Sequence, residues 1–212
     1  MADMIFKYSA MNGGKTLNIL QTAYSYEENK FKIVIIKSIK DTKGNDTIIS
    51  RNGMNRKVDI LLKENESLLT EDNYKKYYTA KAILVDEVEL LNLEQVRELW
   101  MISHLINIPV ICYGLKSNFK GELFSDAIGQ IFAMADHIEE IGSTSLCICG
   151  KKAVFNARKE NDKFTDVGQI VVIDGANADC EYVPLCSDCY LKYVKINSNE
   201  AKNLAKLVDK IK

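Results

Sequence analysis

The sequence predicts an α/β fold, a parallel sheet flanked by helices, followed by a smaller cysteine-pinned unit. Three observations carry this expectation. Apolar, β-branched segments alternate with helix-period segments through the first two-thirds of the chain, the pattern of βαβ units joined by right-handed crossovers. A Gly-Gly-Lys-Thr loop falls between the first strand and the first helix. Five of the six cysteines crowd into positions 147–189. A length of 212 residues suits one domain with a small appendage, at about 150 residues per domain, and is enough to bury a core.

The elements follow in order. Residues 3–8 read as a short buried strand, and the loop after it is broken by Gly13 and Gly14. Leu17, Ile19, Leu20 and Ala23 then form a helical stripe. Residues 31–39 are almost continuously apolar, as in a strand covered on both faces. The polar stretch 41–73, with Gly44 and Gly53, is expected to be irregular, holding a mobile loop and one short strand over 58–62. Residues 82–85 form a third strand ending in Asp86-Glu87. A helix over 93–106, with Leu93, Val96, Leu99 and Leu105 among its apolar positions, stops before Pro109. A fourth strand (110–113), a helix (123–135) and a last strand (137–141) complete the alternation. Beyond residue 141 the chain becomes loop-rich and cysteine-punctuated, so a boundary is placed at 140–145. The expected units are 1–141, 142–193 and a helical tail 194–212, with an amphipathic helix at 199–211.

Composition excludes several classes. Lys plus Arg number 28 and Asp plus Glu 29, a net charge of −1, which argues against a broadly basic surface and a nucleic-acid polymer as partner. The 47% apolar and 27% charged residues suit a folded, soluble protein. No run of about 18 apolar residues suggests a membrane span. The opening Met-Ala-Asp-Met-Ile-Phe-Lys-Tyr lacks a basic leader, so no signal peptide is expected. The cytoplasm is the default location, where clustered cysteines signal metal more often than disulfides.

Residues 9–16, Ser9-Ala10-Met11-Asn12-Gly13-Gly14-Lys15-Thr16, match the phosphate-loop pattern G-x-x-x-x-G-K-[ST] except that Ser9 replaces the first glycine. The chemistry is intact. Backbone N–H groups at a helix N-terminus point at an anion. The two glycines admit phosphate close to the backbone, Lys15 adds a positive charge, and the Thr16 hydroxyl suits Mg²⁺. A plain Gly-Gly turn with an exposed lysine is the alternative. The strand–loop–helix context favours nucleotide. Asp86 and Glu87 end a hydrophobic strand, where an Asp supports Mg²⁺ and a Glu can take a proton from a hydroxyl. The alternative is an acidic pair favoured at a helix N-terminus.

Cys147-x-Cys149 and Cys186-x-x-Cys189 offer four thiolates for a tetrahedral structural zinc. Gly150 permits the tight turn behind the first pair. Buried free thiols or redox pairs are the alternatives. Cys180 is left over as a substitute ligand, and Cys112 falls on a buried strand as core.

The phosphate-loop variant, the Asp-Glu pair, the paired cysteines and Cys112-Tyr-Gly-Leu-Lys-Ser-Asn-Phe-Lys-Gly-Glu-Leu-Phe124 together resemble the thymidine kinase family, the zinc-containing type II enzymes. The resemblance spans about residues 4–193. It implies ATP-dependent phosphorylation of the 5′-hydroxyl of thymidine, and of deoxyuridine, in pyrimidine deoxynucleotide salvage. By the same resemblance Glu87 is the general base and Asp86 supports Mg²⁺. Residues 9–16 hold the ATP phosphates, with Val88 and Glu89 in the same ATP–Mg²⁺ site. Met11, Leu115, Phe119, Phe124 and Tyr182 match nucleoside-contacting positions. Cys147, Cys149, Cys186 and Cys189 match the zinc ligands, and the stretch between the pairs resembles a lasso loop that reads thymine through its backbone. Asp41-Thr42-Lys43 resembles a mobile loop near the phosphates. A homotetramer inhibited by thymidine triphosphate is also implied.

The chain departs from the family where Asp-Glu-x-Gln-Phe is frequent. It reads Asp86-Glu87-Val88-Glu89-Leu90, and its 173–182 stretch is longer. These changes surround the base rather than the phosphates. They motivate two alternatives, a deoxynucleoside kinase of altered specificity and a non-catalytic nucleotide-binding module. An unrelated phosphate-loop ATPase is a third.

Overall fold

In the computed structural model, residues 1–142, 145–170, 180–196 and 198–211 are described. The first strand, β1 (Met4–Tyr8), runs into a loop and then α1 (Lys15–Glu28). β2 (Ile33–Ser38) follows, then a hairpin of β3 (Thr47–Ile49) and β4 (Asn55–Lys57), then β5 (Ile60–Leu62) and α2 (Glu71–Thr79). β6 (Ala82–Asp86), a 3₁₀ turn Val88–Leu90, α3 (Leu93–Ile106), β7 (Val110–Gly114), α4 (Asp126–Met134) and β8 (His137–Glu140) come next. Six of these strands form one sheet in the order β5-β2-β6-β7-β1-β8, with every neighbouring pair parallel.

The burial of β2, β6 and β7 along their whole lengths explains their unbroken apolar runs, because helices cover both faces. Alternate residues feed two cores. Phe6, Ile83, Val85 and Cys112 pack with Leu99 and Ile102 of α3 and with Ile128 and Ile131 of α4. Ile35, Leu84, Ile111 and Tyr113 pack with Ile19, Leu20 and Ala23 of α1. Helix α3 begins at a capping box in which Asn92 accepts from Gln95 N–H and Gln95 accepts from Asn92 N–H. It ends at Asn107 in the left-handed conformation, two residues before Pro109.

The structure departs from the expectation in the polar stretch 41–73. Besides β5 it contains the β3–β4 hairpin and the start of α2. The hairpin strands are short and largely exposed, and α2 buries only Asn73 and Tyr77, so neither leaves a hydrophobic period. Thr70 still caps α2 by accepting from Asn73 N–H. Helix α4 starts later than expected because Ser117 and Leu123 pair as a bridge in the loop before it.

The remaining elements are β9 (Phe155–Glu160), β10 (Lys163–Thr165), β11 (Cys180–Leu185), α5 (Ser187–Tyr190), a π-helical turn Leu191–Lys195 and α6 (Asn199–Ile211). β9 lies between β10 and β11 in an antiparallel sheet. A third core, of Ala153, Ala157, Leu185 and Tyr190 together with Ala10 of the loop after β1, sits beneath it, with Phe155 stacked on Tyr190 at 4.3 Å. Among the described residues no helix is long and apolar enough to cross a membrane.

Candidate active site and metal centre

In an open parallel sheet, ligands bind beyond the carboxyl ends of the strands. Here those ends deliver residues 9–16 after β1, residues 39–43 after β2, Asp86-Glu87 at β6 and Leu115 after β7. They border a cavity of about 690 Å³, a size that suits small-molecule ligands.

The phosphate-loop backbone is fixed by local sterics. Asn12 and Gly14 adopt positive φ, 64° and 85°. A Cβ at Gly13 would lie 2.5 Å from Ser9 Cβ and 2.8 Å from the Ala10 carbonyl oxygen, so only glycine fits there. Helix α1 has no side-chain cap and no acidic residue in its first turn, leaving its N-terminal N–H groups for an anion. Met11, Asn12, Gly13, Gly14, Lys15 and Thr16 line the cavity, whereas Ser9 and Ala10 are buried behind them.

Asp86 and Glu87 border the same cavity. Burial, and then the Glu87 charge, push the Asp86 carboxyl up to about 7 against the pull of Lys15. Asp86 accepts a hydrogen bond from Glu87 N–H at 3.1 Å. An acidic, buried side chain of this kind fits a divalent cation, whose charge would hold it ionised. Glu87 sits in the left-handed region at φ 46°. Burial pushes its carboxyl up, but Lys15 above all, with Lys43 and Lys37, holds it below its ordinary value. Val88 and Glu89 are buried and do not line the cavity. Burial first, then the Glu87 charge, raise Glu89 well above the ordinary carboxylate range. Glu89 is packed against Gly114, where a Cβ would lie 2.5 Å from Glu89 Oε2.

Leu115, Phe119, Phe124 and Tyr182 line the cavity, as does Leu90. Phe119 and Tyr182 meet edge to face at 6.5 Å, and the Arg158 guanidinium lies 5.0 Å from the Phe119 ring centre. Tyr190 Oη donates to the Phe119 carbonyl at 2.7 Å. Residues 171–179 of the expected lasso, most of its longer 173–182 stretch, lie outside the described residues, but Ile170 and Tyr182 on either side of them both reach the cavity.

The sequence reading did not single out Asn156, Ser145, Arg158 or Lys37. Asn156 Oδ1 accepts from Met11 N–H at 2.7 Å and Asn156 Nδ2 donates to the Ser117 carbonyl at 3.3 Å. Ser145 Oγ donates to the Met11 carbonyl at 2.7 Å. Both backbone groups of one phosphate-loop residue are therefore held from the cysteine-rich part of the chain. Asn156 and Arg158 are buried polar residues inside the strand β9, and it is the fold, not a local pattern, that reveals their burial.

The Sγ atoms of Cys147, Cys149, Cys186 and Cys189 lie within 4.8 Å of one another, with Cys149 and Cys186 3.6 Å apart. A tetrahedron with Zn–S bonds of about 2.3 Å has edges of about 3.8 Å, so the four sulfurs fit a zinc ion. Gly150, at φ 83°, turns the first pair, and its N–H donates to the Cys147 carbonyl at 2.8 Å. Burial raises the Cys147 thiol, but backbone N–H groups of Cys149 and Cys186 pull it down to about 6. Cys180, at the start of β11, is outside the four-sulfur group, and Cys112 is fully buried in the main core.

The sequence also matches known proteins. The family model for thymidine kinase matches residues 2–190. The thymidine kinase of Francisella tularensis subsp. tularensis (strain SCHU S4) is 37% identical over 190 residues, covering 88% of this chain and 95% of that protein. That of Shewanella oneidensis (strain MR-1) is 33% identical over 198 residues, covering 92% and 99%. That of Escherichia coli (strain K12) is 34% identical over 201 residues, covering 93% and 95%. Matched by the family model over residues 2–190 and by relatives along nearly its whole length, the chain belongs to the thymidine kinase family, whose members are transferases.

Proposed function

We propose that the chain catalyses transfer of the γ-phosphoryl group of ATP to the 5′-hydroxyl of thymidine. The observation that carries this reading is the meeting of Lys15, Glu87 and Phe119 at one cavity. The phosphate loop would hold the triphosphate through its N–H groups and Lys15. Thr16 and Asp86 would hold Mg²⁺, which when bound neutralises phosphate charge. Phe119 and Tyr182 would pack on the base and, with Leu115 and Phe124, exclude water from it. Glu87, kept ionised by Lys15, is suited to accept the proton of the 5′-hydroxyl. That oxygen forms its bond to the γ-phosphorus as the bond to the β–γ bridging oxygen breaks, and ADP leaves with the electron pair.

The reading extends to deoxyuridine as a second acceptor, to a role in pyrimidine deoxynucleotide salvage in the cytoplasm, and to a structural zinc on the four cysteines. It includes a division into a nucleotide-binding unit 1–141, a zinc and substrate unit 142–193 and a tail 194–212, supported by the antiparallel sheet of β9, β10 and β11 standing apart from the six-stranded parallel sheet. Inhibition by thymidine triphosphate and a homotetramer complete it, on family grounds. A second reading, altered nucleoside specificity, is favoured by Leu90 in the cavity wall. A phosphoryl-transfer assay with ATP and Mg²⁺ across the natural nucleosides separates the two. Thymidine as the best acceptor supports the first, and another nucleoside supports the second. Tight nucleotide binding with no transfer to any nucleoside refutes both.

A further inference from the structure

Lys37 is the penultimate residue of β2, beside Asp86 of β6 in the parallel register, and it is 0% exposed. A buried ammonium is costly unless its protons are satisfied. Lys37 Nζ donates to the carbonyl of Lys43, to that of Asn45 at 3.0 Å and to that of Thr47 at 3.3 Å, and pairs with the Asp41 carboxylate at 3.1 Å. An ammonium has three protons, so these four acceptors saturate it. All four come from residues 41–47, which wind around the charge.

Apart from Lys37, that segment is held by Lys43 N–H to Asp41 Oδ1 at 3.0 Å and, at its far end, by Val58 N–H to the Asp46 carbonyl at 2.8 Å and the Lys57–Asp46 ion pair at 3.1 Å. Its internal backbone bonds are Asn45 N–H to the Thr42 carbonyl at 3.3 Å and Thr47 N–H to the Gly44 carbonyl at 2.9 Å. Gly44 and Asn45 both sit at positive φ, 74° and 52°, a conformation that costs a non-glycine residue energy. The same segment presents Asp41, Thr42 and Lys43 to the cavity. The charge of Lys43 is felt at Glu87.

We propose that Lys37 is a positioning residue of the active site. Its ammonium fastens the 41–47 segment and so places Lys43 on the phosphate side of the cavity. The role of Lys43 toward phosphate rests on the ATP reading above. The fastening does not.

The test uses Lys37→Met, Lys43→Ala and the double variant in the full chain. Amide hydrogen exchange without substrate reads the fastening. Exchange at residues 41–49 should quicken about tenfold to a hundredfold in Lys37→Met, the size expected for losing hydrogen bonds to a charged group. Exchange in β7 and α3 should stay unchanged. In steady-state kinetics, Lys37→Met and Lys43→Ala should each raise KM for ATP about tenfold while leaving KM for thymidine unchanged, and the double variant should be no worse than Lys37→Met alone. Unchanged exchange at 41–49 overturns the proposal. So do an equal rise in both KM values, or independent, multiplying effects in the double variant. If Lys37→Met does not fold, Asp41→Asn decides by exchange alone: it removes the charge paired with Lys37 at 3.1 Å while keeping the strand, so exchange at residues 42–46 should quicken, and unchanged exchange there overturns the proposal. Failure of the unmutated chain to use ATP would overturn the functional reading, with the exchange result still judging Lys37.

Discussion

Asn156→Ala is the sharpest probe of how the cysteine-rich part of the chain supports catalysis. The side chain is 4% exposed and accepts from Met11 N–H at 2.7 Å while donating to the Ser117 carbonyl at 3.3 Å. Truncation leaves the Met11 N–H without its acceptor, a loss of about 1–3 kcal/mol, and removes a weaker second bond of up to about 1 kcal/mol. A total near 2 kcal/mol corresponds to a melting temperature lower by about 4–8 °C for a chain of this size. Because Met11 belongs to the phosphate loop and Ser117 lines the cavity two residues before Phe119, KM should rise for both substrates. Ser145→Ala releases the other backbone group of Met11. The two substitutions should therefore couple, with an interaction energy of at least about 0.5 kcal/mol in a double-mutant cycle. Thermal denaturation of the four proteins, followed by kinetics, makes the measurement. A melting temperature within about 1 °C of the parent for Asn156→Ala, or strictly additive effects, would refute the reasoning.

Other outcomes follow from the same geometry. Glu87→Gln should lower kcat about 10²- to 10⁴-fold with little change in KM for thymidine, as expected for a lost general base. Steady-state kinetics checks this, and an unaffected kcat removes Glu87 from that role. Elemental analysis should find about one zinc ion per chain, and Cys186→Ser should lower it and destabilise the β9–β11 sheet. Zinc should also be released more readily as pH falls, since protons compete for the thiolates, and a pH titration with a chromogenic chelator reads this directly. Leu99→Ala, fully buried on α3, should cost about 2–5 kcal/mol in urea denaturation, without a matching change in KM for either substrate.

Legibility in the sequence followed the range over which each feature acts. β1, β2, β6, β7 and α3 are visible because their burial produces long apolar or helix-period runs. The β3–β4 hairpin and α2 bury too little to leave such a signature. The phosphate loop and the Asp-Glu pair are contiguous, so strand-end context alone drew attention to them. Asn156 and Met11 are 145 residues apart, and no local pattern announces that they touch. Lys37 was hidden differently. A lysine at the end of an apolar strand ordinarily reaches solvent, and only the folded path of residues 41–47 turns it inward.

The fit of Gly114 against Glu89 also constrains how this chain can change over time. With a Cβ at position 114 placed 2.5 Å from the Glu89 carboxylate and 2.8 Å from Val88 Cγ1, no single-step replacement of the glycine is sterically neutral. A shorter side chain at 89 would open room on one side only. A larger residue at 114 therefore requires the Glu89 carboxylate and Val88 to shift, so these three sites should exchange volume together among descendants. A library that randomises position 114 alone should return mostly glycine, whereas one that varies 88, 89 and 114 jointly should recover active combinations that no one position permits by itself.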